Sequence, residues 1–134
     1  MDRITVRRQE DIAETESTPG VFRASTFDAA DTLMVQSRVA AGAATGWHHN
    51  GDRHVYAYVV SGTATLEYGP GGHESVEMAA GDFVYVPPQT IRRVVNGTRE
   101  DWVAVICFVG SGPLQSTWTA RRANREEKAD TSLS

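Results

Sequence analysis

The stretch Gly46-Trp47-His48-His49-Asn50-Gly51-Asp52-Arg53-His54-Val55-Tyr56-Ala57-Tyr58-Val59-Val60-Ser61-Gly62 decides the fold. Three of the chain's four histidines fall within seven of its residues, and a β-branched and aromatic run closed by glycine follows at once. Side chains two apart on an extended segment share a face, so His48 and Asn50 are expected on one face and His49 on the other. Beyond the Gly51-Asp52 turn the same rule groups His54, Tyr56, Tyr58 and Val60 against Val55, Ala57 and Val59. With both strands facing one interior, His48, Asn50 and His54 converge there.

Working outward, the chain reads as short strands with turn signals roughly every eight to twelve residues. Strands are expected at residues 21–26 and 32–39, the second with Leu33, Val35 and Val39 on one face and Met34, Gln36 and Arg38 on the other. Residues 63–68 and 74–78 flank Gly69-Pro70-Gly71-Gly72, which turns but cannot continue a strand, so they form a hairpin. Residues 83–86 stop at Pro87-Pro88. Residues 90–96 alternate, with Arg92, Val94 and Asn96 opposed to Arg93 and Val95. An apolar strand follows at 102–109, and no long amphipathic helix appears, so the class is all-β.

A chain of 134 residues makes one domain that buries roughly two thirds of its unfolded surface. Residues 1–20 form an arm ending in Ser17-Thr18-Pro19-Gly20, in which Ile4 and Val6 are spaced to pair with a sheet edge of a partner subunit. The body spans residues 21–118. Residues 119–134 are densely charged with one large apolar side chain and are expected to be disordered or a short frayed helix. The net charge of −4 argues against a nucleic-acid or anionic-membrane surface. No apolar run is long enough to span a membrane, and the first eight residues lack the apolar core of a secretion signal, so a cytoplasmic location is expected. The single Cys107 is expected to be a buried structural thiol. Asn96-Gly97-Thr98 matches a glycosylation acceptor but reads as a turn.

Taken together, these residues resemble the cupin superfamily, small double-stranded β-helix barrels with a jelly-roll strand order. The second cupin motif sets a glycine, a proline, a histidine and an asparagine at fixed spacing. Residues 81–96 match its length, with Gly81, Pro87 and Asn96 in register and Arg92 at the histidine. The first motif aligns from His48 through Asn50 and His54 to Gly62. In metal-dependent cupins the corresponding positions carry three histidines and a glutamate that bind Fe, Mn, Ni, Zn or similar ions. Here they read His48, Asn50, His54 and Arg92. A guanidinium has no lone pair to give and repels a cation, so the resemblance implies a metal centre exchanged for an organic polar site with no cofactor. The same fixed cation suits a carboxylate, enolate or phenolate.

That implies a small-molecule enzyme doing proton-transfer chemistry (isomerisation, cyclisation, dehydration or epimerisation) on a small acidic or enolisable carbonyl compound. His48 and His54 are its expected acid and base, with Arg92 and Asn50 holding the oxyanion. Tyr56, Tyr58, Phe83, Tyr85, Met34 and Ile106 are expected to line the barrel interior. Trp47 and Trp102 would gate it, and Gln36 and Arg38 would add polar contacts. Three other readings stay open. One is a divalent-metal (Zn, Fe, Mn or Ni) dioxygenase or cyclase using His48, His54 and His49. Another is a ligand-binding module without turnover, and the third is a polar core left by a decayed site. The expected partners are a small molecule and, through the arm, a second copy in a homodimer.

Overall fold

The computed structural model of the chain describes residues 3–112 and the strand at 116–118. Its strands, in chain order, are β1 (Thr15–Thr18), β2 (Val21–Ala29), β3 (Thr32–Val39), β4 (Trp47–His49), β5 (His54–Ser61) and β6 (Thr63–Tyr68). They continue as β7 (Glu74–Ala79), β8 (Phe83–Val86), β9 (Arg92–Val95), β10 (Trp102–Val109) and β11 (Ser116–Trp118). Two antiparallel sheets result, ordered β1-β2-β3-β10-β5-β8 and β11-β4-β9-β6-β7. The expected hairpin is β6–β7, paired from Thr63↔Ala79 to Tyr68↔Glu74 around a turn at Pro70–Gly72. The charged segment 119–134 lies outside the described residues.

The sheets enclose one apolar core. In β3 burial alternates without a break, and Leu33, Val35, Ser37 and Val39 all point inward. The register carries that face across the sheet, from Val35 to Ile106 to Ala57 to Val84 and from Leu33 to Phe108 to Val55 to Val86. Phe108, Val35, Val39 and Val59 are among the largest fully buried side chains. Each contributes about 1.5–3 kcal/mol through the apolar area it removes from water.

Two local devices fix the connections. Gly62 turns β5 into β6 at a φ of 81°, and a Cβ there would fall 2.2 Å from the Asp101 carbonyl oxygen. Asn96, fully buried, donates both Nδ2 hydrogens, to Val39 O at 2.9 Å and Glu100 O at 2.8 Å. Its Oδ1 accepts from the Thr98 amide at 3.0 Å. The turn expected at Asn96–Thr98 is thus built around a buried side chain.

The arm folds back on its own chain. β1 pairs with β2. Arg7 lies over the Phe27 ring at 5.1 Å, Gln9 donates to Gln36 at 2.7 Å, and Glu14 pairs with Arg38 at 2.8 Å. Among the described residues, no helix is long and apolar enough to cross a membrane.

Candidate functional site

β4 and β9 are paired at His48↔Arg92, and both side chains are buried on the inward face. The alternation expected of residues 90–96 holds: Arg92, Val94 and Asn96 turn inward, with Arg92 and Val94 both lining the interior cavity. One Arg92 nitrogen donates a short bond to Asn50 Oδ1, and the other donates to Thr90 O at 3.2 Å. The loop carrying Asn50 is tied to the one preceding β9. Gln89 N donates to Gly51 O at 2.8 Å and Gln89 Nε2 to Asp52 Oδ1 at 2.7 Å. Among the described residues Gln89 is the only non-glycine at positive φ, 62°. It stands in a conformation that favours glycine, and its two bonds across the loops hold it there.

His48 Nδ1 lies 2.8 Å from Gly46 O. A carbonyl can only accept, so the Nδ1 proton is fixed there and Nε2 keeps its lone pair. Burial, followed by the neighbouring Arg92 charge, pushes the imidazole down to a pKa of about 3. The ring is therefore neutral throughout the physiological range. Burial, and then the nearby charge of Arg23, lowers Arg92 to about 10, which leaves it protonated at neutrality.

His48 and Arg92 line a cavity of about 60 Å³ in the barrel interior, together with Arg23, Ser37, Trp102 and Ile106. That volume holds roughly four or five water-sized positions. Among the described residues no carboxylate lines it. The buried Trp102 Nε1 has no hydrogen-bond partner among the described residues. A groove of about 200 Å³ that includes Ser17, Thr18, Gly46 and Trp47 shares Val21, Arg23 and His48 with the cavity. Trp47 borders this groove, with the Arg93 guanidinium over its ring at 4.9 Å. Trp102 lies inside, 2% exposed, rather than at a mouth.

Much of the expected lining is elsewhere. His54, Tyr56, Tyr58, Phe83 and Tyr85 are exposed on the outer face of β5 and β8, and His54 does not join His48 and Asn50. The interior takes Val55, Ala57 and Val59 instead, because a barrel this narrow has room for small and β-branched side chains but not three rings. Met34, Gln36 and Arg38 also face outward, opposite the buried phase of β3. Arg38 there pairs with Glu14 and Asp101 and lies over the Phe22 ring at 4.0 Å. Cys107 is half-buried on this outer face, between Met34 and Tyr56, rather than in the core.

Arg23 was missed by sequence reasoning. It lines the cavity and sits 5.5 Å from the centre of the Phe108 ring. Its position two residues after the inward Val21, on the same face, was the available signal.

A divalent cation does not fit this donor set. His48 is the one imidazole lining the cavity, His49 faces away, and the partner opposite His48 is a protonated guanidinium bonded to Asn50. Among the described residues no three His, Cys, Asp or Glu side chains gather, so the trio His48, His49 and His54 does not form.

No curated protein matches the chain in sequence. Solved structures do match in fold. The polyketide cyclase RemF from Streptomyces resistomycificus superposes with a TM-score of 0.74 at 14% identity, over 93% of this chain and 94% of that one. An uncharacterized conserved protein with a double-stranded β-helix domain from Klebsiella pneumoniae gives 0.68 at 18% identity, over 77% and 88%. Oxalate decarboxylase OxdC of Bacillus subtilis, as its S161A mutant, gives 0.68 at 22% identity, over 78% of this chain but 29% of that one. At these identities the likeness is one of fold. The cupin domain family matches residues 35–109, more than half of the chain and every strand that builds the His48–Arg92 pair. With that match and the double-stranded β-helix architecture, the chain belongs to the cupin family.

Proposed function

We propose that this cupin is a metal-independent small-molecule enzyme that moves a proton on a small enolisable carboxylate or similar acidic carbonyl compound. One observation carries the reading: an imidazole with its proton tied to Gly46 O lies opposite a buried guanidinium in a cavity that, among the described residues, no carboxylate lines. An anion entering the cavity meets a fixed positive charge in a medium where the attraction is strong.

In the reaction, a C–H bond next to the carbonyl breaks. Its proton passes to His48 Nε2, and its electron pair moves into the enolate, whose oxygen Arg92 holds. Return of the proton to another carbon or the other face gives the isomer. The same steps with loss of a leaving group give a dehydration. Without ligand, His48 is a weak base, at about 3. An anion beside Arg92 offsets the part of that depression due to the guanidinium, so binding raises the basicity of the residue that must act. The Trp102 N–H, without a partner among the described residues, supplies a donor for a second acceptor on the ligand.

The test is hydrogen–deuterium exchange in D₂O, followed by proton NMR, on a panel of small 2-oxo carboxylates. Wild type is expected to exchange the carbon-bound hydrogens at least about 100-fold faster than buffer. His48→Ala should remove the enhancement, and Arg92→Met should raise the ligand concentration needed. Binding without exchange would instead favour a carrier or sensor. Exchange that appears only with added Fe, Mn, Ni or Zn and disappears with chelator would favour the metal-dependent reading.

A further inference from the structure

The cavity that holds His48 and Arg92 contains a second fixed cation. β2 pairs with β3 at Arg23↔Ser37, which sets the Arg23 side chain on the same inward face as the buried Ser37. Its guanidinium lies 5.5 Å from the centre of the Phe108 ring, itself 1% exposed, and both side chains line the cavity. Arg23 also lines the adjoining groove of about 200 Å³, together with His48 and Thr45, so it stands where the two spaces meet. Its charge is felt across the cavity, where it adds to the lowering of both Arg92 and His48.

The groove supplies hydrogen-bond donors. Ser17, Thr18 and Thr45 bring hydroxyls to it. Thr45 Oγ1 accepts from the Val94 amide at 2.9 Å, which leaves its own hydrogen to donate. Among the described residues no Asp or Glu lines the cavity or the groove, and Asp11 shares with Arg23 only a separate open depression. The two bonds of the Arg92 guanidinium go to the neutral oxygens of Asn50 and Thr90. In a chain of net charge −4, two guanidiniums thus face one small interior space. Like charges repel strongly there, and a monoanion offsets only one of them.

Size adds to this. A cavity of about 60 Å³ is too small for a whole substrate, so a ligand with its carbonyl end against Arg92 must continue outward. An apolar groove of about 410 Å³, which includes Tyr68, Tyr85 and Pro87, also joins the cavity, through Leu66, Val84 and Val86. The reacting carbon has to reach His48, however, and His48 borders the polar groove and not the apolar one.

We infer that Arg23 is a specificity-determining residue and that the substrate is a small dicarboxylate, its enolisable carbonyl end held by Arg92 and its second carboxylate by Arg23 and the groove hydroxyls. A guanidinium binds such a carboxylate through paired hydrogen bonds, and the groove hydroxyls complete its shell. The inference rests on the proton-transfer reading above and names the substrate class for it.

Exchange in D₂O and calorimetric binding test this on a matched pair, 2-oxopentanedioate and 2-oxopentanoate, which differ by a terminal carboxylate in place of a methyl. Wild type is expected to prefer the diacid by about 30-fold in both measurements. Arg23→Met is expected to bring that ratio to within about threefold of unity. Arg23→Lys should fall between the two, and gives a second reading should Arg23→Met lose its near-UV dichroism. Any loss common to both acids cancels in the ratio. A wild type that treats the two acids alike overturns the inference, as does a preference that survives in Arg23→Met. A wild type that favours 2-oxo-4-phenylbutanoate over the diacid also overturns it, by placing the far end of the substrate in the apolar groove. Diacid binding that depends on Arg23, without exchange, would sink the proton-transfer reading and leave the second anion site standing; exchange on the monoacid alone would do the reverse.

Discussion

The two faces of the six-stranded sheet carry nearly the same chemistry and have opposite fates. Inward, Val35, Val39, Val59 and Phe108 are sealed from water; outward, Tyr56, Tyr58, Phe83 and Tyr85 stand 40–83% exposed beside valines. Apolar character therefore does not say which side is the interior. Register does. The pleat turns Phe108 and Trp102 inward beside small and β-branched side chains, and it turns the rings of β5 and β8 outward. The polar groups sort by a different rule. His48, Asn50, Arg92 and Asn96 are inside because each has a partner there, whereas His54 finds its partner, Tyr85, outside.

This contrast can be broken from the inside first. Phe108→Ala empties a fully buried site and should lower stability by about 3–5 kcal/mol, measured by urea denaturation. If the loss were below about 1 kcal/mol, the inner face would not be the packed one.

The next effect is in pH. His48 is neutral in the folded protein down to about 3, but an unfolded histidine takes up its proton near 6.5. The unfolded chain thus binds the extra proton between these values, and stability must fall as pH drops through that window. Between pH 7 and 5 this one group should remove about 2 kcal/mol, a dependence that His48→Gln should abolish. Equal slopes in the two proteins would mean His48 is not buried as described.

Smaller again is Gln89. Gln89→Ala keeps a side chain at positive φ but loses the Asp52 bond, and should cost about 1 kcal/mol. Gln89→Gly relieves the backbone while losing the same bond and should cost less. The smallest effect belongs to the outer face. Tyr85→Phe removes the hydroxyl paired with His54 and should change the stability of the monomer by no more than about 0.5 kcal/mol, because both groups are exposed. A loss comparable to that of Phe108→Ala would erase the distinction between the faces.

The sequence showed the strands and much of the polar site for physical reasons. Val, Ile and aromatic runs bounded by Gly and Pro leave few alternatives, and the single apolar face of β3 and the alternation around Arg92 set the phase of those strands. The phase of β5 was illegible for the opposite reason. Both of its faces are apolar, so alternation carries no inside-or-outside signal, and the nearness of His54 to His48 along the chain pointed the wrong way. The same ambiguity placed Tyr85 and Phe83 inside. Arg23 was readable from Val21, but a lone arginine early in a strand ordinarily points to solvent, and only the closed barrel shows that it cannot.

The side chain of Asn96 has a consequence for any host that decorates proteins with sugars. Glycan transfer requires the amide nitrogen, and both hydrogens on that nitrogen are committed to Val39 and Glu100 in a position with no exposure. The finished fold is closed to the transferase. In a secretory host, an oligosaccharide on Asn96 would mark a molecule modified before β3 and β10 closed around it and unable to close afterwards. Occupancy at this one site would therefore read out the race between folding and modification.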